Sequence, residues 1–413
     1  MKRLWPLLLA VLLVSSCSGF AGEEPSPSAS ADPDEPVLTS RDIELTVWET
    51  PGAGEEFIRQ AAAVFNEKYP NISIRCEAVA PSEILRRVQT DSASGGAADL
   101  FILPHTEIRS LAEAKLILPA RDQAKTKNAV FGACAQAATV NGAIYGYPVS
   151  AETTALFYNK RLIAEDELPA TWEDLAAFAK RFHDGERYGF LMPVTSAYAT
   201  APFISARGNR PFGPAGENAQ TLNLETSSAI EGMTVFQSLR GAVGLSSEEL
   251  SPGAVEELFA AGRAALCLAG PWNIARFAAA GVDFGVAPLP VFPGEESSAT
   301  LAFARVMAVS AYSVNPDEMS AFAALLLTEE MQKLRVELTG ELPSMDMILR
   351  NPPYAAGFAA QMRSAFAYTS LPAADGFWEM FGGLCARVWD GADMRAELAS
   401  FWRTPEPETE EEP

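Results

Sequence analysis

The chain has 413 residues, of which 48% are hydrophobic, and its formal net charge is −22. A single core rarely grows beyond about 250 to 300 residues, so two domains are expected. The negative field excludes nucleic acid and acidic lipid surfaces as partners. Because the two histidines, His105 and His183, lie far apart in the sequence, we expect no metal site, catalytic triad or cofactor.

The first 17 residues join a basic start to an apolar run and a small-residue cleavage site. Lys2 and Arg3 precede the apolar residues 4–14, and Ser15-Ser16 precedes Cys17. The run is too short for a helix that spans a bilayer, which needs about 20 residues, so it predicts an export signal. The pattern resembles a bacterial lipoprotein signal. It implies cleavage after residue 16 and lipid attachment at Cys17; the alternative is a secreted protein with an incidental cysteine.

Residues 17–40 and 406–413 have compositions that are typical of chain outside a folded core. The first stretch is rich in Ser, Pro, Ala and acidic residues, and the second is acidic. Neither can bury enough apolar surface to fold, so we expect a disordered tether and a disordered tail. At about 3.1 Å per residue, residues 18–36 of this tether would reach roughly 60 Å.

The next segments alternate strand and helix. Residues 43–48, 71–79 and 99–103 have strand patterns, and residues 55–69 and 82–90 have helical spacing between them. This order predicts an α/β unit with a parallel sheet, whose ligands bind beyond the carboxyl ends of the strands. Three polar residues at such ends are candidate contacts or merely solvated loop residues: Glu49, Thr106 and Glu107.

Residues 146–160 are predicted to carry the chain from one lobe into another. Two β-rich runs lie there around a single carboxylate, Glu152, whose neighbours are small or apolar. A carboxylate on a crossing strand can bind a neutral polar ligand in a cleft. The alternative is an ordinary central strand with Glu152 at its solvated end.

Alternation resumes after the crossing. Thr171 with Asp174 predicts a helix start, and residues 227–239 have a helical pattern. The buried strand 264–269 runs into Gly270-Pro271-Trp272, which places Trp272 beside a helix N-terminus, facing a cleft or filling a core corner. Strands are predicted at 282–288 and 301–309 and a helix start at Asn315-Pro316. A core stripe follows near the C-terminus, with Trp378 about 100° away from it, at the surface or in a cleft.

The five cysteines lack metal-type spacing. Apart from Cys17, we interpret them as small buried hydrophobic residues, with a disulfide as the open alternative in an exported protein.

From about residue 43 to residue 401 the chain resembles the extracellular solute-binding proteins of sugar ABC transporters, in the maltose and maltodextrin branch. The matching segments are spread along the chain in the same order: 45–69, 98–101, 141–148, Glu152 with 157–160, 171–175, 270–272 and 377–378.

The resemblance implies a two-lobed α/β fold of the periplasmic-binding-protein type II, with discontinuous lobes joined by hinge crossings. The first lobe would hold residues 41–151 and 289–350, and the second residues 152–288 and 351–405. The resemblance also implies a sugar site lined by Glu152, Tyr198, Trp272 and Trp378. Aromatic rings stack on the C–H faces of sugars, and carboxylates accept hydrogen bonds from their hydroxyls.

The chain differs from the maltodextrin branch on one wall of the site. Leu103, Thr106 and Glu107 stand where a tryptophan and an Asp-Arg pair are usual, and Gly52-Ala53 replaces a charged pair. These differences favour an oligosaccharide over maltose itself.

The predicted protein is therefore a monomeric receptor without catalytic activity, lipid-anchored outside the cytoplasmic membrane. It would deliver an oligosaccharide to the permease of an ABC importer. Three alternatives remain: a secreted glycosidase with two acting carboxylates, a sensor subunit, and a receptor of the same fold for a peptide, polyamine or metal chelate.

Overall fold

A computed structural model describes residues 38–347, 349 and 352–401 of the chain. The predicted signal peptide, Cys17 and the acidic tail lie outside these residues, as does nearly all of the predicted tether.

The described residues form helices and strands in alternating order. The strands are β1 Ile43–Glu49, β2 Ile72–Ala78, β3 Leu100–Pro104, β4 Thr139–Val140, β5 Ala143–Ile144, β6 Tyr147–Thr153, β7 Ala155–Asn159, β8 Tyr188–Leu191, β9 Ala264–Ala269, β10 Phe284–Ala287, β11 Leu301–Val309 and β12 Phe366–Ala367. The α-helices are α1 Ala53–Lys68, α2 Pro81–Asp91, α3 Ile108–Glu113, α4 Gln123–Ala129, α5 Gly132–Ala137, α6 Trp172–Phe182, α7 Ala197–Ile204, α8 Ser227–Val243, α9 Pro252–Ala260, α10 Ile274–Ala279, α11 Pro316–Leu325, α12 Glu329–Thr339, α13 Ala355–Met362, α14 Ala374–Trp389 and α15 Met394–Ser400.

One mixed sheet has the strand order β12-β11-β3-β1-β2, with β6 also paired to β11. β1 is parallel to β2 and β3, whereas β11 runs antiparallel to β3 and β6. Helix α1 covers this sheet because Phe57, Ala61 and Phe65 recur at helical spacing and are buried. We call the part of the chain built on this sheet the first lobe.

A second sheet has the order β10-β7-β9-β8, with β7 antiparallel to both its neighbours. Its central strand β9 is buried at every position, as a strand covered on both faces should be. Helices α6, α7, α8, α9 and α14 pack on or around it. We call this part the second lobe. The strands predicted at 43–48, 71–79, 99–103, 264–269, 282–288 and 301–309 are confirmed, with ends shifted by at most two residues.

Two connections pass between the two sheets, from β6 to β7 and from β10 to β11, and a third leads from β12 of the first sheet to α14, which packs on α7 and α8 of the second lobe. The first is the predicted crossing, and it changes sheet at Thr154. Thr153 Oγ1 lies 2.7 Å from both Thr300 Oγ1 and the Leu301 carbonyl, which ties the first crossing to the second. The strand pairing keeps Glu152 and Thr153 on the first sheet and returns residues 366–367 to it.

The side chains of these lobes are mainly apolar where they are buried. Cys134, Cys267 and Cys385 are buried, Cys76 is partly buried, and all four are free thiols. The interpretation as buried packing residues is confirmed for Cys134, Cys267 and Cys385, and the disulfide alternative is not realised among the four. Within the described residues, no helix is long and apolar enough to cross a membrane.

Candidate functional site

The first crossing and the segments beside it bring the predicted site residues into one region between the lobes. Glu152 lies on β6, opposite Phe303 of β11 in the antiparallel register. Tyr198 is the second residue of α7 and approaches from the second lobe. The crossing also holds that helix directly, because Thr154 Oγ1 donates to the Tyr198 carbonyl oxygen at 3.1 Å.

Trp272 occupies the turn that links β9 to α10. Its side chain is 48% exposed, which excludes the alternative of a core tryptophan filling the strand-helix corner. Its ring meets that of Tyr198 edge-on, with centroids 5.1 Å apart. Nearby polar groups fix the indole: with the Asn273 amide turned to satisfy both neighbours, Trp272 Nε1 donates to the amide oxygen at 3.0 Å, and the amide nitrogen donates to Glu256 at 3.0 Å.

A cavity of about 70 Å³ lies beside this tryptophan. Its lining combines apolar strand residues with polar groups, among them Thr154, Ser196, Glu256 and Asn273. A space with both kinds of lining suits a partly polar ligand.

Trp378, in the first turns of α14, is 4% exposed. It is therefore not a surface residue: Phe377 and Phe381 pack against it, with ring centroids 4.9 and 5.8 Å away. Its other aromatic neighbour is Tyr368, at 6.3 Å. The indole Nε1 is buried and finds no acceptor among the described residues. A buried donor without a partner is costly, so an acceptor from outside the protein would stabilise this position.

Phe303 and Tyr368 join the predicted aromatics into one row. Phe303 lies 5.1 Å from Tyr198 and 4.6 Å from Tyr368, again between ring centroids. The order of rings is thus Trp272, Tyr198, Phe303, Tyr368 and Trp378. Trp272, Tyr198 and Trp378 could be predicted from the sequence, whereas Phe303 and Tyr368 could not, because neither residue stands out in an apolar strand or a loop.

Glu152 is the carboxylate beside this row. Burial, and secondarily the nearby Glu341 carboxylate, raise the pKa of Glu152 above its usual range, while Arg305 opposes the shift. Burial also raises the pKa of Tyr198, with further contributions from Glu152 and Tyr368. Phe303 lies opposite Glu152 on β11 and contacts the Tyr198 ring, so Glu152 and Tyr198 both neighbour this one aromatic side chain.

Glu49 was a candidate ligand contact because it lies at the end of β1, but it does not face the cleft. It is fully buried, and Arg335 Nη1 donates to its Oε2 at 3.4 Å. His105 is also structural: its Nε2 donates to the Tyr368 carbonyl at 2.7 Å, and its Nδ1 accepts from the Ala304 amide at 3.2 Å. Burial lowers the pKa of His105, so the neutral ring that this bonding requires is favoured. Among the described residues no group of three or more His, Cys, Asp or Glu side chains could hold a metal ion.

Two α/β lobes with an aromatic row and the Glu152 carboxylate between them define a ligand-binding protein that closes around its solute. The comparisons with known proteins agree. The family model of the bacterial extracellular solute-binding proteins matches residues 49–333, and the chain belongs to that family.

Two curated relatives match most of the chain. A galactooligosaccharide-binding protein of Bacillus subtilis is 28% identical over 78% of each chain. A maltooligosaccharide ABC transporter solute-binding lipoprotein of Streptococcus pneumoniae is 26% identical over 81% of this chain and 78% of its own length.

Solved structures agree with the two-lobed fold. A cyclo/maltodextrin-binding protein complexed with maltotetraose has a TM-score of 0.79 and 28% identity, with 87% of this chain and 95% of the other covered. A Thermus thermophilus maltotriose-binding protein bound to maltotriose has a TM-score of 0.60 and 25% identity, with 86% and 97% covered.

Proposed function

We propose that the protein is the oligosaccharide receptor of an ABC importer, which captures its ligand between the lobes and delivers it to a membrane permease. The observation that carries this proposal is the aromatic row from Trp272 to Trp378 beside Glu152. Sugar rings offer apolar C–H faces to such rings and hydroxyl donors to such a carboxylate. The relatives that bind galactooligosaccharides, maltooligosaccharides and maltotriose support the same class of ligand.

The ligand-binding residues in this proposal are Glu152, Tyr198, Trp272 and Trp378. Trp272 offers an exposed ring for stacking. Trp378 is too buried to offer a ring face, so its contribution is the unpartnered indole N–H. The Tyr198 ring contacts Trp272 of the second lobe and Phe303 of the first lobe. Glu152 accepts hydrogen bonds from sugar hydroxyls.

Binding without catalysis is supported by the state of the second acid near Glu152. Glycoside hydrolysis needs two available carboxyl groups on either side of the scissile bond. Burial alone would raise the pKa of Glu341, but Arg335 and Arg305 outweigh it and hold that pKa below its usual range. The lowered pKa keeps Glu341 ionised, so it cannot act as a proton donor. Both of its oxygens also accept hydrogen bonds from arginines, Oε1 from Arg305 and Oε2 from Arg335, so neither is left unpartnered to attack a sugar, which disfavours the glycosidase alternative.

The division into two discontinuous lobes belongs to the proposal, with the first boundary at Thr154, where the chain changes sheet. A monomeric state and lipid attachment at Cys17 belong to it as well. Replacing Cys17 by alanine in the full-length chain should release the protein into the medium, and mass spectrometry of the wild-type N-terminus should detect diacylglyceryl-cysteine. Membrane retention of the variant would contradict the anchor.

Titration calorimetry tests the function directly. The panel contains maltotetraose, galactotetraose, a cyclodextrin, a xylotetraose and the corresponding monosaccharides. We expect one neutral oligosaccharide to bind at micromolar concentration or below, and to be recovered intact after prolonged incubation. Failure of every member to bind would refute the proposal. Hydrolysis of a bound oligosaccharide would show that the protein is an enzyme and not a receptor.

A further inference from the structure

One wall of the cleft carries an arginine, Arg305, which lies on the same face of the β6–β11 strand pair as Glu152. In the antiparallel pair of β6 and β11, Glu152 lies opposite Phe303 and Ser150 lies opposite Arg305. Side chains alternate between the faces of a strand, so these four residues share one face. The intervening pair, Ala151 and Ala304, is buried on the other face.

The Arg305 side chain is held by one hydrogen bond to the described part of the protein, and its other N–H groups are available to a ligand. Its Nη1 donates to Glu341 Oε1 at 2.9 Å, and Glu341 is its one hydrogen-bond partner among residues that the structure describes. The side chain is 34% exposed. A guanidinium has five N–H donors in a planar fork, so several donors remain for a ligand.

Glu341 is in turn held from behind by a buried arginine. Arg335 donates to Glu341 Oε2 from Nε at 3.0 Å and from Nη2 at 2.8 Å. Arg335 is 2% exposed and also pairs with the buried Glu49. This bonding fixes the Glu341 carboxylate, and the fixed carboxylate fixes the direction of the Arg305 side chain.

The charges alternate along the ion pairs from Glu49 through Arg335 and Glu341 to Arg305, and the Glu152 carboxylate lies on the same face of the strand pair as Arg305. Arg335 pairs with Glu49 and Glu341, and Arg305 pairs with Glu341. The positive charge of Arg305 also acts on Glu152 and lowers its pKa, against the larger effect of burial. The Arg305 charge is therefore already balanced by protein groups. A ligand that brought its own carboxylate would add a negative charge beside Glu152 and Glu341, which is repulsive in a partly buried site.

We propose that Arg305 contacts the ligand as the hydrogen-bond donor that complements the acceptor Glu152, and that this pair selects uncharged polyhydroxylated ligands over acidic ones. The proposal rests on the oligosaccharide-receptor function and deepens it. A neighbouring donor and acceptor match adjacent sugar hydroxyls, each of which can both donate and accept. Arg305 and Glu152 thereby supply a donor and an acceptor in a site where Leu103, Thr106 and Glu107 replace the tryptophan and the Asp-Arg pair that are usual in the resembling branch.

The test uses Arg305→Met and Arg305→Lys with Arg387→Met as the matched control. Arg387 is another partly exposed arginine bonded to one glutamate, Glu397, but it lies on the outside of α14. Affinity is measured by calorimetry for maltotetraose and for tetragalacturonate, with thermal melting of each ligand-free variant. If galactotetraose is the tighter ligand of the wild type, it replaces maltotetraose.

Arg305→Met should weaken neutral-ligand binding about 10- to 100-fold, because a hydrogen bond to a charged group is lost. Arg305→Lys keeps the charge opposite Glu341 but loses the planar fork, so it should fold like the wild type and still bind at least about 5-fold more weakly. Arg387→Met should bind normally. Tetragalacturonate should bind the wild type at least about 100-fold more weakly than the neutral tetrasaccharide.

Wild-type affinity in Arg305→Lys, or tighter binding of tetragalacturonate than of the neutral sugar, would overturn this inference alone. A wild type that binds no neutral oligosaccharide would instead refute the function on which the inference rests. If Arg305→Met melts well below the wild type, Arg305→Lys decides the outcome.

Discussion

The ring of Tyr198 lies 5.1 Å from that of Phe303, between centroids, although the first residue belongs to the second lobe and the other to the first. This distance is direct ring contact. No sugar ring fits between the two, so under the proposed function the oligosaccharide lies along the aromatic row and not across it. The contact also gives the two lobes an apolar surface that is buried when the cleft is closed.

The first prediction concerns the exposed end of the row. Trp272→Ala should weaken oligosaccharide binding about tenfold, because stacking on a ring contributes about 0.5 to 1.5 kcal/mol beyond the burial of area. It should hardly change the melting temperature of the ligand-free protein, since the side chain is half exposed. Calorimetry and thermal melting measure the two effects.

Tyr312→Ala is the control for Trp272→Ala. Tyr312 has the same exposed fraction, 48%, and follows β11 in the first lobe. It should leave both affinity and melting unchanged. Equal affinities of the two variants would remove Trp272 from the site.

Trp378 should respond differently because it is buried. Replacement by alanine would cost about 3 to 5 kcal/mol of stability, so the informative change is Trp378→Phe. Phenylalanine keeps most of the apolar packing and removes the N–H that lacks an acceptor among the described residues. Ligand affinity should fall about 5- to 10-fold, while the melting temperature without ligand should drop little, because an unpaired buried donor disappears with the ring.

Trp389→Phe provides the matched comparison on the same helix. Trp389 is fully buried, and its Nε1 donates to the Leu245 carbonyl at 2.9 Å. Its replacement leaves that carbonyl without a partner and should lower the melting temperature more, with affinity unchanged. If Trp378→Phe binds as tightly as Trp389→Phe, the indole N–H of Trp378 does not contact the ligand.

Elements and their order could be predicted from the sequence, because they depend on local periodicity and on end signals. Thr171 is an example: it caps α6 by accepting from the Asp174 amide at 3.1 Å, as predicted. The Asn315-Pro316 pattern predicted the start of α11 correctly, but the capping hydrogen bond expected from the Asn315 side chain is not formed. The Asn315 side chain makes no capping bond and accepts from Arg41 Nη2, at 3.3 Å, from a distant part of the chain.

The polar part of the cleft wall could not be predicted in the same way. Arg305 is one charge in the otherwise apolar run 301–309, which is a signal in itself, but its partner Glu341 lies 36 residues away. Pairing of this kind depends on the tertiary fold, and periodicity carries no information about it. The same holds for Glu49, whose burial against Arg335 contradicts its interpretation as a strand-end contact.

A further prediction concerns pH. Burial and Glu341 raise the pKa of Glu152 above the ordinary value of 4.5, so the folded protein binds a proton more readily than the unfolded chain. The stability that this proton contributes is fully present below pH 4.5 and is lost as the pH rises through the raised pKa. Glu152→Gln should therefore melt higher than the wild type at pH 7, and the difference should vanish on acidification to pH 4.

The same variant should bind the oligosaccharide more weakly at pH 7, because an amide is a poorer acceptor than a carboxylate. Glu67→Gln, an exposed carboxylate on α1, is the control and should change neither property. A Glu152→Gln variant that melts below the wild type at pH 7 would mean that the carboxylate is stabilised by the fold and not held there for the ligand.

The last prediction concerns a polar contact between the lobes. Glu217 lies in the loop between α7 and α8 of the second lobe, and its Oε1 accepts from Arg109 Nη2 at 2.7 Å and from the Asn141 amide at 2.8 Å, both in the first lobe. The Arg109 side chain is almost fully buried. A partly buried ion pair of this kind stabilises the arrangement in which the lobes touch, and a closed-form contact slows ligand release.

Glu217→Ala should therefore raise the ligand dissociation rate about 5- to 10-fold in stopped-flow measurements. Glu113→Ala is the control, because Glu113 binds the same arginine at 3.4 Å from within the first lobe and is largely exposed. That variant keeps the contact between the lobes, so its dissociation rate should match the wild type. Equal rates in Glu217→Ala and Glu113→Ala would show that the Glu217 contact forms equally in the open and closed proteins and does not control ligand release.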